Sequence, residues 1–197
     1  IASALSALHD KETLHHDLKP GNIIVDDDLN IKVVGFGAVY ISGVAGMYTL
    51  KDNRDRQLFH YLDPQMLLGK NSGQQRDVYS LAVITYQLFT RALPYGEEYL
   101  QCNSQAEFER LPYIKATDKN ARIPRWFDKA LEKALSSDLD KRYRTPTEFM
   151  QDLTQPNPDF VWQEIKGEVD KSKLLFWQIL SGFWLVMLVV FINLFSS

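Results

Sequence analysis

Cysteine is nearly absent from this chain: Cys102 is the only one in 197 residues. No intrachain disulfide can form, so the fold rests on its core, and the composition fits a reducing compartment. Gln101, Asn103 and Ser104 place no cation beside Cys102, so nothing activates its thiol. Excess charge of one sign is also missing. The 22 Lys and Arg against 25 Asp and Glu leave a net charge of −3. That gives no general basic field and argues against a nucleic-acid partner. There is no internal repeat and no low-complexity tract. No initiating methionine and no basic, apolar leader stands at the start. Ile1 to Leu5 begins inside a helical pattern, so the sequence reads as a piece of a longer chain. At 45% apolar and 24% charged, the composition is that of a globular protein.

The last absence is local. From Leu174 to Phe195, 22 residues pass without a charge. At about 1.5 Å per residue, a helix of that length crosses a hydrocarbon core of about 30 Å. Trp177 suits one interface. Lys166, Lys171 and Lys173 precede the run, which predicts that the preceding domain is cytoplasmic. The expected organisation is a folded domain over 1–154, a polar linker over 155–173 and a transmembrane helix over 174–195. The protein is then single-pass, with its membrane partner at 174–195.

Within 1–154 the pattern is mainly helical, an α+β class with one small two-stranded element. A short helix is predicted over 1–9. Ile23-Ile24-Val25 and Ile31-Lys32-Val33-Val34 read as strands around the turn Asp26–Asn30. The Asp26-Asp27-Asp28 run lacks the spaced ligands and closing Glu of a calcium loop, so it is read as a turn. Residues 35–63 read as loop. Asp77 to Thr90 is apolar almost all round, the mark of a helix at a domain centre. Shorter helices are expected over 107–111, from Pro124 with Phe127, Ala130, Leu131, Ala134 and Leu135 on one face, and from Pro146. Thr145 and Glu148 have the spacing of a reciprocal cap, and Phe149 and Leu153 supply that helix's buried face.

The chemistry lies in His15-His16-Asp17-Leu18-Lys19-Pro20-Gly21-Asn22. Phosphoryl transfer to a hydroxyl needs a carboxylate to orient and accept the proton, a cation near the moving phosphate, and an oxygen to help hold Mg²⁺. Asp17, Lys19 and Asn22 are the right types within one tight loop. The stretch resembles the catalytic loop of protein kinases, His-Arg-Asp-Leu-Lys-Pro-x-Asn, with the Lys of the Ser/Thr class. Further landmarks follow in the family's order. Gly35-Phe36-Gly37 stands for Asp-Phe-Gly, Leu62-Asp63-Pro64-Gln65 for Ala-Pro-Glu, Asp77-Val78-Tyr79-Ser80-Leu81 for the central helix, and Lys141-Arg142-Tyr143 for the late Arg. The resemblance covers 1–154 and implies the C-terminal lobe of a Ser/Thr protein kinase. It implies Asp17 as base, Lys19 as phosphate contact, Asn22 as metal ligand, ATP and Mg²⁺ as cofactors, and a protein substrate or regulatory partner. It also gives His15, Asp77 and Arg142 structural roles. Ala92–Gly96, Ile123–Trp126, Arg142-Tyr143 and Gln155–Pro158 are similar to a bacterial group in which a phosphatase domain precedes a membrane-anchored kinase, which implies a bacterial inner membrane.

Four positions depart from the family pattern. Gly35 replaces the metal-binding Asp and offers no ligand. His16 replaces the Arg that reads a phosphorylated loop, a task it meets only weakly when protonated. Gln65 replaces the Glu that neutralises Arg142, so that Arg needs another partner. Leu58 stands where a Thr bridges the catalytic Asp and Lys. No Gly-rich phosphate loop, strand Lys or partner Glu is present. Ser42, Tyr48 and Thr49 are candidate phosphosites. Three readings follow: an impaired kinase that is inactive as this chain alone, a pseudokinase scaffold or regulatory module at the membrane, or a non-functional gene fragment.

Overall fold

The computed structural model describes residues 1–35, 58–161, 174–182 and 184. The chain divides into two units, Ile1–Gln155 and Pro156–Ser197.

The first unit is built on the run predicted to be central. Helix α3, Gln75–Thr90, buries Val78, Tyr79, Ala82, Val83 and Tyr86 completely. Because it is apolar on nearly every side, other elements must surround it. Helix α6 (Arg125–Ala134) and helix α7 (Pro146–Thr154) pack on it and on each other, and helix α1 (Ala2–His9) packs on α7. Between the ends of α3 and α6 lies the short helix α5, Ala116–Lys119. The apolar face expected of α6 is present: Ala130, Leu131, Ala134 and Leu135 are fully buried, while Phe127 is half-buried.

Helix starts follow local chemistry. Thr145 accepts the N–H of Glu148 at 3.2 Å, and Glu148 returns to accept the N–H of Arg144 at 2.9 Å. The reciprocal cap thus forms one residue wider than the expected one. Helix α4, Gln105–Arg110, is capped by Ser104 and starts two residues earlier than the apolar pattern suggested. Pro124 has extended geometry and caps α6 from outside it.

Strands β1 (Ile23–Val25) and β2 (Ile31–Val33) form an antiparallel pair with Ile24 opposite Lys32. Asp26 closes the turn by accepting the N–H groups of Asp28 and Asn30 at 3.1 and 2.8 Å. That is an Asx-type turn and not a cation loop. Within the segment read as loop, Phe59–Tyr61 forms a 3₁₀ turn, followed by helix α2, Pro64–Leu67. Phe36, Gly37, Ser42, Tyr48 and Thr49 lie outside the described residues.

In the second unit, residues 174–182 are helical, and Leu174, Leu175, Phe176, Trp177 and Ile179 are each more than half exposed. Most of the span expected over 174–195 lies outside the described residues. Among the described residues no helix is long and apolar enough to cross a membrane.

Candidate active site

Asp77, fully buried in the first turn of α3, organises the loop. Its two oxygens accept the N–H of His15 at 2.9 Å and of His16 at 3.0 Å. Its Oδ2 also pairs with His9 Nε2 at 2.8 Å, at the end of α1. One carboxylate therefore joins α1, the loop and α3. Burial alone would raise its pKa, but the hydrogen bonds from His9, His15 and His16 outweigh that and hold it below the usual carboxylate value.

His15 is fully buried, with Nε2 3.0 Å from the Val34 carbonyl. A carbonyl only accepts, so the proton sits on Nε2 and Nδ1 faces the Asp17 N–H at 3.4 Å. The ring thus sets Asp17 against the end of β2. His16 occupies the left-handed region, φ 67°. Its Nδ1 lies 2.7 Å from Nη1 of the buried Arg76. A guanidinium only donates, so this nitrogen accepts and the ring is neutral. Burial, then the Arg76 charge, lowers the His16 pKa. The weak cation expected at His16 is therefore a neutral ring, and the charge beside it belongs to Arg76.

Asp17, Lys19 and Asn22 meet directly. Lys19 Nζ lies 2.6 Å from Asp17 Oδ2. Asn22 Nδ2 donates to the Asp17 carbonyl at 2.7 Å and to Oδ2 at 3.2 Å. The 3₁₀ turn Pro20–Asn22 and a bond from the Val34 N–H to the Asn22 carbonyl fix this geometry. The Asp17 side chain is 30% exposed, and among the described residues no donor reaches its Oδ1. Leu58 is 41% exposed and brings no polar group to the pair.

Gly35 has φ 77°. A β-carbon there would sit 2.8 Å from Asn22 Cγ and Oδ1. The Asn22 carboxamide stands where a side chain at 35 would begin, with its amide nitrogen committed to Asp17. Mg²⁺ demands a near-octahedral oxygen shell. Glycine adds no ligand to it, so these residues do not fit the metal site that the loop's pattern implies. Among the described residues no cluster of three His, Cys, Asp or Glu side chains has metal-binding geometry.

Arg142 finds the partner that Gln65 denies it. Its Nη1 lies 2.7 Å from Asp63 Oδ1, both side chains fully buried, and its Nε donates to the Ser136 carbonyl at 2.8 Å. Ser72 donates to the other Asp63 oxygen. Gln65 bonds instead to Gln105 and the Ser137 carbonyl, at 2.8 and 3.0 Å. Sequence reasoning missed three residues: His9, Asp63 and Arg76. Each left a signal, as a polar or charged residue inside an apolar stretch or beside a family landmark, but none named its partner.

Comparison with known proteins gives this geometry its context. The family described as the protein kinase domain matches residues 1–154. The chain is 28% identical over 154 residues to the probable serine/threonine-protein kinase PknB of Lactococcus lactis, covering 78% of this chain and 24% of that protein. It is also 28% identical over 159 residues to the serine/threonine-protein kinase PrkC of Bacillus subtilis, covering 78% and 23%. The chain thus spans about a quarter of the length of these relatives. The PknI kinase domain of Mycobacterium tuberculosis superposes with a TM-score of 0.56 at 23% identity, covering 79% of this chain and 52% of that one. With the family pattern spanning the whole first unit, the chain belongs to the protein kinase family.

Proposed function

We propose that this chain carries the phosphoacceptor side of a Ser/Thr-type phosphotransferase, held at a membrane and weakened at its metal site. The Asp17–Lys19–Asn22 cluster carries the reading. A substrate hydroxyl within hydrogen-bond reach of Asp17 Oδ1 gives its proton to the carboxylate as its oxygen attacks the γ-phosphorus of ATP. The bond to the ADP oxygen breaks, and ADP leaves. Lys19 offsets charge on the moving phosphoryl group, and Asn22 holds Asp17 in place. Gly35 removes the principal metal carboxylate, so turnover is slow. The test is transfer of labelled phosphate from ATP to a generic protein substrate by the full-length protein. Asp17→Asn is expected to lower it about 10²- to 10⁴-fold. Transfer unchanged by that substitution would overturn the assignment.

The Gly35–Asn22 contact favours a second reading, a pseudokinase that scaffolds or regulates. It expects no Mg²⁺-dependent nucleotide shift in the melting of the full kinase domain. A clear shift would exclude it.

Membrane attachment rests on the uncharged run 174–195 and the lysines before it. It places the kinase domain on the cytoplasmic side, at the inner membrane in a bacterium. Alkaline carbonate should leave the protein in the membrane pellet and detergent should release it. Release by carbonate alone would refute the anchor.

A further inference from the structure

The far end of α3 leaves apolar surface uncovered. Leu88 is 72% and Phe89 49% exposed, on the same helix that forms the core. The Phe89 ring meets Phe127 edge-on at 4.9 Å, and Trp126 abuts Phe127 at 6.0 Å. Trp126 and Phe127 are only half-buried. Asn120 locks the pieces together, donating to the Phe89 carbonyl at 2.9 Å and accepting the Arg122 N–H at 3.1 Å. Three elements thus present one aromatic cluster with fixed geometry.

Its surroundings are basic in a chain that is acidic overall. Residues 88–91 and 115–129 contain six Lys and Arg against two Asp. All six cations are exposed. One of the two acids, Asp128, is buried and accepts from Tyr113 Oη at 2.7 Å, the Ala116 N–H at 2.8 Å and Thr117 Oγ1 at 2.9 Å. Only Asp118 faces the cations from within these segments, and Glu132 holds Lys129 at 2.6 Å. Arg91 stands two residues from Phe89, and Lys119 and Arg122 lie within two residues of Asn120, which bonds the Phe89 carbonyl.

Trp and Phe amid cations suit the headgroup layer of a bilayer, where an aromatic ring sits between apolar and wet surroundings and Lys and Arg meet lipid phosphates. A protein interface usually depletes Lys. We infer that this face docks on an anionic phospholipid surface, with Phe89 and Trp126 entering the headgroup layer and Arg91, Lys119 and Arg122 engaging the phosphates. The surface is complete within Ile1–Gln155 and does not depend on the run 174–195.

The experiment uses the full chain with vesicles of phosphatidylcholine, or of phosphatidylcholine mixed with phosphatidylserine, carrying brominated acyl chains. Quenching of Trp126 is read as the difference between the wild type and Trp126→Phe. Quenching is expected on the anionic vesicles only. Arg91→Gln, Lys119→Gln and Arg122→Gln should each weaken it about fivefold. Phe89→Asp should abolish it with the far-UV circular dichroism unchanged. Equal quenching on both lipids, no quenching, or insensitivity to the charge substitutions would overturn the proposal. So would self-association, or capture of an oligonucleotide, that Phe89→Asp removes without any lipid effect. Failure of the terminal run to insert leaves the Trp126 signal intact, whereas insertion without that signal refutes the docking face alone.

Discussion

Arg142 illustrates how a buried charge dictates its surroundings at the scale of single residues. The acid that neutralises it stands at Asp63, two positions before Gln65, and the guanidinium also lies 5.0 Å from the Tyr79 ring centre. Removing one partner of a fully buried pair strands the other charge. Asp63→Ala should therefore cost about 3–5 kcal/mol in urea denaturation. Adding Gln65→Glu to that variant should recover part of the loss, because position 65 already lies close enough to bond the Ser137 carbonyl beside the Arg142 pocket. No recovery would mean that the geometry at 65 cannot reach Arg142. Gly35 makes the opposite case, in which a missing side chain lets a neighbour settle. Gly35→Ala should cost about 1–2 kcal/mol for its left-handed backbone. Asp tolerates that region better than most residues. Gly35→Asp should thus displace the Asn22 carboxamide and create a carboxylate–carboxamide pair. Mg²⁺ should then raise the melting temperature of that variant and not of the wild type. An equal Mg²⁺ response in both would show that the native loop already holds the ion.

Elements form here where local sequence and tertiary demand agree. The cap of α7 is local, and Thr145→Ala should destabilise the domain by about 1 kcal/mol. The measurement is urea denaturation, with the loss expected to vanish in chains that carry Ser at 145. The Thr145 half of that cap was legible in the sequence because four consecutive residues encode it, whereas the return bond of Glu148 goes to Arg144 outside them. So were α1, both strands and α3, each carrying either a clear period or an unbroken apolar run. Helices α2 and α5 were not, because four residues are too few to display a helical period. The trio Asp17, Lys19 and Asn22 was legible because the loop is short and its partners lie within five residues. The Asp63–Arg142 pair was not, because 79 residues separate its members, and bonds from both Gln65 and Gln75 to carbonyls of the segment after α6 hold them together. His9 was hidden for the same reason. It sits on the buried face of α1, and its meaning depends on Asp77, 68 residues away.

Over the whole molecule, buried titratable groups set a window of stability. All seven tyrosines among the described residues are held above their ordinary value, burial being the main cause in each. Tyr86, for example, is pushed up to about 12 by burial and then by the Asp128 charge. A phenol whose pKa is raised on folding keeps its full contribution below the unfolded value, near 10, and loses it as pH rises towards the folded value. The acid side runs the other way. His16 and His60 are lowered, mainly by burial, so their contribution is complete above about 6.5 and declines as pH falls below it. Asp77 is lowered as well, so its share persists down to about pH 4 and is lost below. Stability should therefore be nearly flat between about pH 6.5 and 10 and fall on both sides. Above the plateau, the phenols cannot ionise while they remain buried. In a chain whose Tyr40 and Tyr48, outside the described residues, are replaced by Phe, tyrosinate absorbance and the loss of far-UV circular dichroism should then rise together, as one transition. If tyrosinate formed well before the helices were lost, the packing of Tyr79, Tyr95 and Tyr99 around α3 would have to open independently of the fold, and the core described here would not be a single cooperative unit.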